Sequence, residues 1–225
     1  MKNNLMFKYS APVYDRIVGN ICGGAYKRAI EEIDLKELHD NTDSDRRVNI
    51  LDVGGGTGLF LKEIEKREKI KGNEKLINNT DVYILDKSRK MLQQAEKKNW
   101  RFNLKTVEDK IEEYSSSSKN FDLVTCIDSF HHFENKEKSM EKILKATGEE
   151  GEVLILEMKP QKTISKIIKA FEILLGEPTE FWDPKTFKVK MKENGFYPSV
   201  TEINSFQFVV KGKNKEIKTH MDKQG

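Results

Sequence analysis

Glycines dominate the stretch ILDVGGGTGLFL, residues 50–61, and their spacing indicates a ligand site. An acidic residue and three glycines stand at alternate positions: Asp52, Gly54, Gly56 and Gly58. They follow an apolar run and precede a helix-like segment, where glycine lets the backbone turn sharply and lets a ligand approach its N–H groups. The stretch is therefore typical of a nucleotide-binding or phosphate-binding loop, and a bare tight turn is the alternative.

Two common nucleotide sites do not fit this spacing. A Walker phosphate loop requires Gly-Lys-Ser/Thr, and no such triplet follows the glycines. A dinucleotide site requires a third glycine at the position where this sequence has Leu59. Asp52 also places a negative charge where a pyrophosphate would lie, which favours a cationic or zwitterionic ligand. An oxidoreductase that uses NAD is therefore a disfavoured alternative.

A second group of residues could carry proton chemistry. Asp128, His131 and His132 follow an apolar run within a few residues of one another. A carboxylate or an imidazole can act as a general base, so we predict all three as candidate catalytic residues. For at least one histidine a purely structural, hydrogen-bonded role is the alternative, and for Asp128 the alternative is to help hold a cofactor. Because no third ligand stands at a recognisable spacing, we predict no metal site.

Alternating strands and helices must position these residues. Apolar runs rich in Val, Ile, Leu or Phe predict strands at residues 48–54, 81–86, 102–107, 121–128 and 151–158. Helix-like segments lie between them at residues 57–68, 88–99 and 135–147, the second opening on the N-cap candidate Ser88. This alternation predicts right-handed crossovers and a doubly wound, mostly parallel sheet of the α/β class.

The pattern changes after the fifth predicted strand. Two helices are predicted at residues 163–176 and 183–195, followed by strands at 196–203 and 205–213. We expect these strands to be joined by about two residues around Asn204 and to form an antiparallel hairpin at the end of the sheet. Loops or extensions are predicted in the polar stretches 39–47, 69–81 and 115–119.

The glycine stretch resembles motif I of the class I S-adenosylmethionine-dependent methyltransferases, Asp/Glu-x-Gly-x-Gly-x-Gly. The resemblance implies a Rossmann-like, seven-stranded sheet and implies that Asp52, Gly54, Gly56 and Gly58 hold the methionine part of the cofactor. The acidic residue after the second strand, Asp86 in YILDKS, is implied to accept both ribose hydroxyls, since a carboxylate offers two acceptor oxygens. Lys87 and Ile127 are predicted beside the cofactor.

Later segments extend the resemblance as far as Pro160. TVEDKI offers Glu108 or, by motif position, Asp109 for the adenine amino group. FDLVTCIDSFHHF is similar to the segment between cofactor and substrate in this family, and GEVLILEMKP is similar to its fifth strand. The sequence departs from the family where Glu149 and Glu150 precede Gly151, since two glycines are common there.

The N-terminal stretch APVYD resembles the A-x-x-YD lead helix of the ubiquinone and menaquinone biosynthesis methyltransferases. It implies that Tyr14, with Tyr9 nearby, closes over the cofactor; an amphipathic helix that only packs on the domain is the alternative. A substrate-covering insertion is predicted at residues 160–182. Its apolar residues are predicted either to line a pocket or to pack on the sheet: Phe171, Leu174, Leu175, Phe181 and Trp182.

Length and composition fit one domain over residues 1–225, with an N-terminal lid at 1–47, a core at 48–212 and a flexible tail at 213–225. The net charge of +3 arises from interspersed charges, so no nucleic-acid partner is expected. We expect no transmembrane segment and no export signal, and therefore a cytoplasmic protein. The sequence leaves open whether it is a monomer or a homodimer. Cys22 and Cys126 form no C-x-x-C pair, which argues against a disulfide framework.

The functional prediction is methyl transfer from S-adenosylmethionine to a small molecule, such as a quinol-like or lipid-like acceptor. A non-catalytic protein that binds the same cofactor is the alternative, because a fold does not fix a function.

Overall fold

Seven strands form the sheet that carries the site. They are β1 (Val48–Val53), β2 (Thr80–Asp86), β3 (Asn103–Glu108), β4 (Phe121–Ile127), β5 (Thr147–Met158), β6 (Phe196–Glu202) and β7 (Gln207–Asn214). The computed structural model describes residue 15 and residues 22–42, 46–115, 120–174 and 179–214. In it the strands lie in the order β3-β2-β1-β4-β5-β7-β6.

Eight described helices connect or cover these strands. They are α1 (22–31), α2 (Leu35–Asp40), α3 (Leu59–Ile70), α4 (Glu74–Asn78), α5 (Arg89–Glu96), α6 (Lys136–Ala146), α7 (Thr163–Leu174) and α8 (Pro184–Glu193). A single 3-10 turn, Phe130–His132, follows β4. Ser88 caps α5 as predicted, because its side chain accepts a hydrogen bond from the backbone N–H of Met91.

The first five strands are parallel, as the alternating sequence predicts. Their apolar side chains fill two cores, one on each face of the sheet. Neighbouring residues of β1 show the alternation, since Ile50 packs in one core and Leu51 in the other. A doubly wound α/β sheet is therefore confirmed, and the carboxyl ends of its strands meet at one edge.

The C-terminal strands form the predicted hairpin, with β7 antiparallel to both β5 and β6. β7 lies between those two strands, so β6 is the outer edge of the sheet. Pro198 stands in β6, where an edge strand tolerates a residue without an N–H donor.

Several predicted boundaries were wrong. The hairpin loop has four residues, 203–206, instead of about two, because the Asn204 side chain accepts hydrogen bonds from the backbone N–H groups of Phe206 and Gln207 and so builds a longer turn. The stretch 69–81 contains the short helix α4 and is not only loop, since Ile77 is fully buried and anchors it. β5 begins at Thr147 directly after α6, and β7 extends two residues beyond the predicted core boundary at 212.

Candidate active site

A cavity opens at the carboxyl edge of the sheet, beside the ends of β1, β2 and β4. Predicted site residues from four separate segments line it: Gly54, Gly56, Asp86, Lys87, Asp109, Ile127, Asp128 and His132. Open parallel sheets bind ligands at this edge, outside the carboxyl ends of their strands. The sequence therefore identified residues that the fold brings together from positions up to 78 apart.

The glycine loop has a left-handed backbone at the three predicted glycines, with φ of 67° at Gly54, 55° at Gly56 and 72° at Gly58. Residues that carry a side chain rarely adopt this backbone conformation, which explains why all three positions are glycine. A Cβ atom at Gly54 would lie 2.7 Å from the Ser129 Oγ atom, whereas Gly56 faces the cavity. Gly58 instead packs against Ile84 and Trp100 and does not line the cavity.

Asp86 ties the glycine loop to the second strand. Its Oδ2 accepts a hydrogen bond from the backbone N–H of Gly56 at 3.0 Å, and its Oδ1 accepts one from Ser88 N–H at 2.7 Å. Burial raises the pKa of this carboxyl, and the two N–H donors oppose that rise. Each oxygen has a second lone pair, so the carboxylate can still accept two hydroxyl donors from a ligand.

Asp52 does not line the cavity but lies beneath the loop. Its Oδ1 accepts a hydrogen bond from Thr125 Oγ1 at 2.7 Å, and its side chain fills the space where a Cβ of Gly55 would stand. Burial raises the pKa of Asp52 to about 7, and the negative charge of Asp86 adds to the rise. A cation bound in the cavity would favour the ionised form, which agrees with the ligand charge expected from the sequence.

Asp52→Asn is expected to flatten the pH dependence of the free energy of unfolding. The pKa of Asp52 is about 7 in the folded protein and 3.8 in an unperturbed side chain, so the folded state binds the extra proton between these values. The contribution of Asp52 to the free energy of unfolding is fully present below about pH 4 and is lost as the pH rises through 7. From pH 5 to pH 8 the wild type should lose about 2 to 3 kcal/mol relative to the variant. Urea unfolding at each pH measures this, and a difference independent of pH would contradict it.

Asp128 occupies a strained position at the end of β4. Its φ of 48° is the only positive value at a non-glycine residue in the described part of the chain. Such strain often accompanies functional sites. Burial raises the pKa of Asp128 to about 7, and the charge of Glu157 adds to the rise. Its Oδ1 accepts a hydrogen bond from Gln207 Nε2 at 3.3 Å. Because Asp128 lines the cavity and its pKa is about 7, the cavity wall contains a group that can exchange a proton near neutral pH.

The two histidines differ in position. His132 lines the cavity, and burial lowers its pKa to about 2, with the charges of His131 and Lys87 adding to the effect. His131 is 2% exposed and its Nδ1 lies 2.9 Å from both carboxylate oxygens of Glu157. The rings of the two histidines lie 4.1 Å apart. His131 thus matches the structural alternative, while His132 lines the cavity.

The two residues predicted to contact adenine also differ in position. Asp109 lines the cavity, and its backbone N–H donates to the carbonyl of Asp86 at 3.3 Å. Glu108 is exposed at the end of β3 and does not line the cavity. Both assignments to adenine remain predictions, with the geometry in favour of Asp109.

Sequence reasoning missed several residues of the site. The apolar part of the cavity wall includes Met91, Ile111 and Phe133. Asp15 accepts a hydrogen bond from the hydroxyl of Thr57 and lies 2.6 Å from Lys98 Nζ, which also donates to the Thr57 carbonyl at 2.8 Å. The acidic residue of the YD pair is therefore attached to the glycine loop. The YD pair was the signal that could have identified Asp15, because the resemblance assigned a role only to its tyrosine.

Other predicted residues lie elsewhere or outside the described residues. Tyr9 and Tyr14, which were assigned to the lid, lie outside them, as do Leu175 and the side chain of Phe171. Phe181 is buried against the His131 ring at 4.6 Å, and Trp182 packs on Phe130 and Phe187. These two aromatics belong to the core rather than to the cavity wall, which was the packing alternative.

No group of three or more His, Cys, Asp or Glu residues in the described ranges is arranged to hold a metal ion. Among the helices that the structure describes, none has the length and apolar content that crossing a membrane requires.

Known proteins with similar sequences and folds are methyltransferases. A family model described as a methyltransferase domain matches residues 44–219. The ubiquinone/menaquinone biosynthesis C-methyltransferase UbiE of Rickettsia prowazekii (strain Madrid E) is 25% identical over 173 residues, which cover 66% of this chain and 68% of that protein.

Solved structures share the fold at low identity. An O-methyltransferase family protein from Burkholderia thailandensis has a TM-score of 0.72 at 12% identity, covering 94% of this chain and 62% of its own. The plantazolicin methyltransferase BpumL, solved in complex with SAH, has a TM-score of 0.65 at 17% identity and 94% coverage of both chains. Because the family model spans well over half of the sequence, the chain belongs to the methyltransferase domain family and is an S-adenosylmethionine-dependent methyltransferase.

Proposed function

We propose that this enzyme methylates a small, largely apolar acceptor of quinol-like or lipid-like chemistry, held beside Asp128 and His132. The observation that carries the proposal is that Gly56, Asp86 and Asp109 line the same cavity as these two residues. The first three residues would hold the cofactor, and Asp128 and His132 would contact the acceptor. The name of the Rickettsia relative, a C-methyltransferase of quinone biosynthesis, supports an acceptor of this class.

The cofactor brings an activated methyl group on a sulfonium centre. The residues of the chain would therefore bind and orient rather than supply a covalent nucleophile. Asp86 would hold the ribose hydroxyls, and the N–H groups of the left-handed glycine loop would contact the methionine part. Met91, Ile111 and Phe133 would exclude water from the reacting atoms.

Proton removal from an acceptor hydroxyl would fall to Asp128. Its pKa of about 7 leaves a large fraction ionised at neutral pH, when it can still bind a proton strongly. His132 is neutral at that pH because its pKa is about 2. We propose that it orients the acceptor as a neutral hydrogen-bonding ring.

Asp86→Ala is expected to weaken binding of S-adenosylmethionine and S-adenosylhomocysteine by at least about 100-fold. The variant removes two hydrogen bonds to a charged acceptor, each of which contributes about 1.5 to 3 kcal/mol. Isothermal titration calorimetry of both ligands and of NAD measures the effect. Wild-type binding in the micromolar range, about −8 kcal/mol, is expected for the adenosyl ligands.

Two controls make this titration decisive. Glu141→Ala removes an exposed carboxylate that pairs with Lys145 on α6, and it should leave the affinity unchanged. Asp86→Asn keeps an acceptor for the Gly56 N–H and separates loop distortion from loss of charge. Unchanged affinity in Asp86→Ala would refute the role of Asp86. Tight binding without any turnover across quinol-like, phenolic and lipid acceptors would favour the non-catalytic alternative.

A further inference from the structure

A chain of side-chain hydrogen bonds runs from the hairpin turn at residues 203–206 to the cavity wall. Asn204 Nδ2 donates to Gln207 Oε1 at 2.8 Å, and Gln207 Nε2 donates to Asp128 Oδ1 at 3.3 Å. Gln207 is buried at the start of β7, whereas Asp128 follows β4 and lines the cavity. A buried amide therefore connects the turn with the proposed base.

The direction of this chain is set at its first residue. Asn204 Oδ1 accepts the backbone N–H groups of Phe206 at 3.0 Å and of Gln207 at 2.8 Å, which only the oxygen of an amide can do. The NH2 group of Asn204 then faces Gln207 Oε1, and the NH2 group of Gln207 is left to face Asp128. The turn thus presents an N–H donor, and not a carbonyl oxygen, to Asp128.

The backbone of the turn is held by three elements. Within the hairpin, the N–H of Ile203 donates to the carbonyl of Gln207 at 3.1 Å. Directly after β5, the N–H of Lys159 donates to the carbonyl of Phe206 at 2.8 Å. Arg28 of α1 donates to the carbonyl of Ile203. Because its backbone is fixed in this way, the turn can hold a side chain in one orientation at Asp128.

The two carboxylate oxygens of Asp128 have different surroundings. Oδ1 accepts the Gln207 N–H, whereas Oδ2 is buried and has no N–H or O–H partner among the described residues. The thiol of Cys22, a weak donor, lies beside the carboxyl, and burial raises the pKa of Cys22 to about 12. An oxygen that already accepts an N–H is less basic than one that does not. Oδ2 is thus the better acceptor of a proton.

We propose that Asn204 and Gln207 are positioning residues for Asp128: they hold Oδ1 in place and leave Oδ2 to take the proton of the acceptor hydroxyl. The electron pair of the broken O–H bond stays on the acceptor oxygen, which becomes the nucleophile, and the proton later passes from Oδ2 to solvent. Neither Asn204 nor Gln207 lines the cavity, so both act through Asp128. The inference rests on the proposed role of Asp128 as base.

Several titratable groups face Asp128 from the elements around it. Burial is the main cause of its raised pKa, and Glu157 on β5 adds to the rise. Three groups lower the pKa: His131, Gln207 and Cys22. Cys126 on β4 also lies nearby and stays neutral, because burial raises its pKa well above the ordinary value. The Gln207 amide is uncharged, so replacing it removes a hydrogen bond without adding or removing a charge.

Carbon-13 NMR of the Asp128 carboxyl, assigned by its absence in Asp128→Asn, tests the proposal without any acceptor. Gln207→Met removes both side-chain hydrogen bonds, so the titration midpoint of Asp128 should rise by about one pH unit from its value of about 7. Asn204→Asp should also raise the midpoint, although Asn204 bonds to Gln207 and not to Asp128. The new carboxylate keeps the bonds of the turn but cannot donate, so the Gln207 amide would turn its NH2 group towards residue 204 and its oxygen towards Asp128.

Ser205→Asp is the matched control. It adds the same charge at the exposed position beside Asn204, leaves the amide chain intact, and should move the midpoint by less than about 0.3 pH units. An unchanged midpoint in Gln207→Met or in Asn204→Asp, or an equal rise in Ser205→Asp, would overturn the proposal. If Gln207→Met does not fold, Asn204→Asp decides the question, since it retains the bonds of the turn.

Turnover separates this inference from the proposed function. In Gln207→Met the midpoint of the kcat profile should rise by the same interval as the NMR midpoint, and kcat at pH 7 should fall about fivefold as the ionised fraction falls. If the NMR midpoint moves but the kcat profile does not, Asp128 is not the base, and the inference fails together with the proposed function. If Asp128→Asn loses kcat but neither variant moves the midpoint, only the positioning role is overturned.

Discussion

Glu157→Ala is expected to lower the free energy of unfolding by about 3 to 5 kcal/mol. Glu157 is 1% exposed, and both of its oxygens lie 2.9 Å from Nδ1 of His131, whose side chain is buried as well. One oxygen also accepts the backbone N–H of His131 at 3.2 Å. Removing one partner of a buried pair leaves the other without compensation, which costs far more than the net contribution of the pair. Urea unfolding at pH 7 measures the loss.

Two matched variants show whether burial is the cause. Glu202→Ala breaks the ion pair with Lys159 at a site where the glutamate side chain is 75% exposed, and its expected cost is below about 1 kcal/mol. Glu157→Gln keeps an acceptor for the His131 N–H and should fall between the two. A loss below about 1 kcal/mol in Glu157→Ala would show that the pair does not support the fold.

Asp128→Asn is expected to reduce kcat by about 100-fold to 10,000-fold on an acceptor that must lose a proton. The asparagine retains an oxygen that can accept from Gln207 Nε2 but cannot take up a proton at neutral pH. Because the pKa of Asp128 is about 7, wild-type kcat should rise with pH up to about 7 and then level off. Formation of S-adenosylhomocysteine, followed from pH 5.5 to pH 9 with any acceptor found by screening, measures both effects.

The cofactor affinity of the same variant is its internal control. Asp128→Asn should bind S-adenosylmethionine as the wild type does, since the proposed cofactor contacts lie at Gly56, Asp86 and Asp109. A kcat within threefold of wild type, with the same pH profile, would show that Asp128 is not the base. A large loss of cofactor affinity would instead move Asp128 into the cofactor site.

Much of the fold and site followed from local sequence patterns. Four of the parallel strands, β1, β2, β4 and β5, are largely buried and apolar, so they were recognisable, and the residues that follow them necessarily meet at one edge. That reasoning brought Gly56, Asp86 and Asp128 together correctly. The glycine spacing has a physical cause: the backbone at Gly54, Gly56 and Gly58 is left-handed, a conformation that favours glycine.

Other features depend on contacts that no local pattern encodes. The pairing of Glu157 with His131 joins residues 26 apart, and the spacing of HH alone could not show which histidine would face the cavity. Similarly, its position in the motif predicts that Asp52 contacts a ligand, but its side chain accepts a hydrogen bond from Thr125 of the neighbouring strand. The length of the hairpin loop was underestimated because it depends on hydrogen bonds of the Asn204 side chain.

The position of β7 between β5 and β6 has a consequence for the order in which the chain can fold during synthesis. β6 leaves the ribosome before β7, yet its partner in the sheet is β7. Until residues 207–214 emerge, both β5 and β6 expose strand edges with unpaired backbone groups, which can pair with other chains. The described sheet is thus completed only when residues 207–214 have been translated, and β7 is the strand that then covers the exposed edges of β5 and β6.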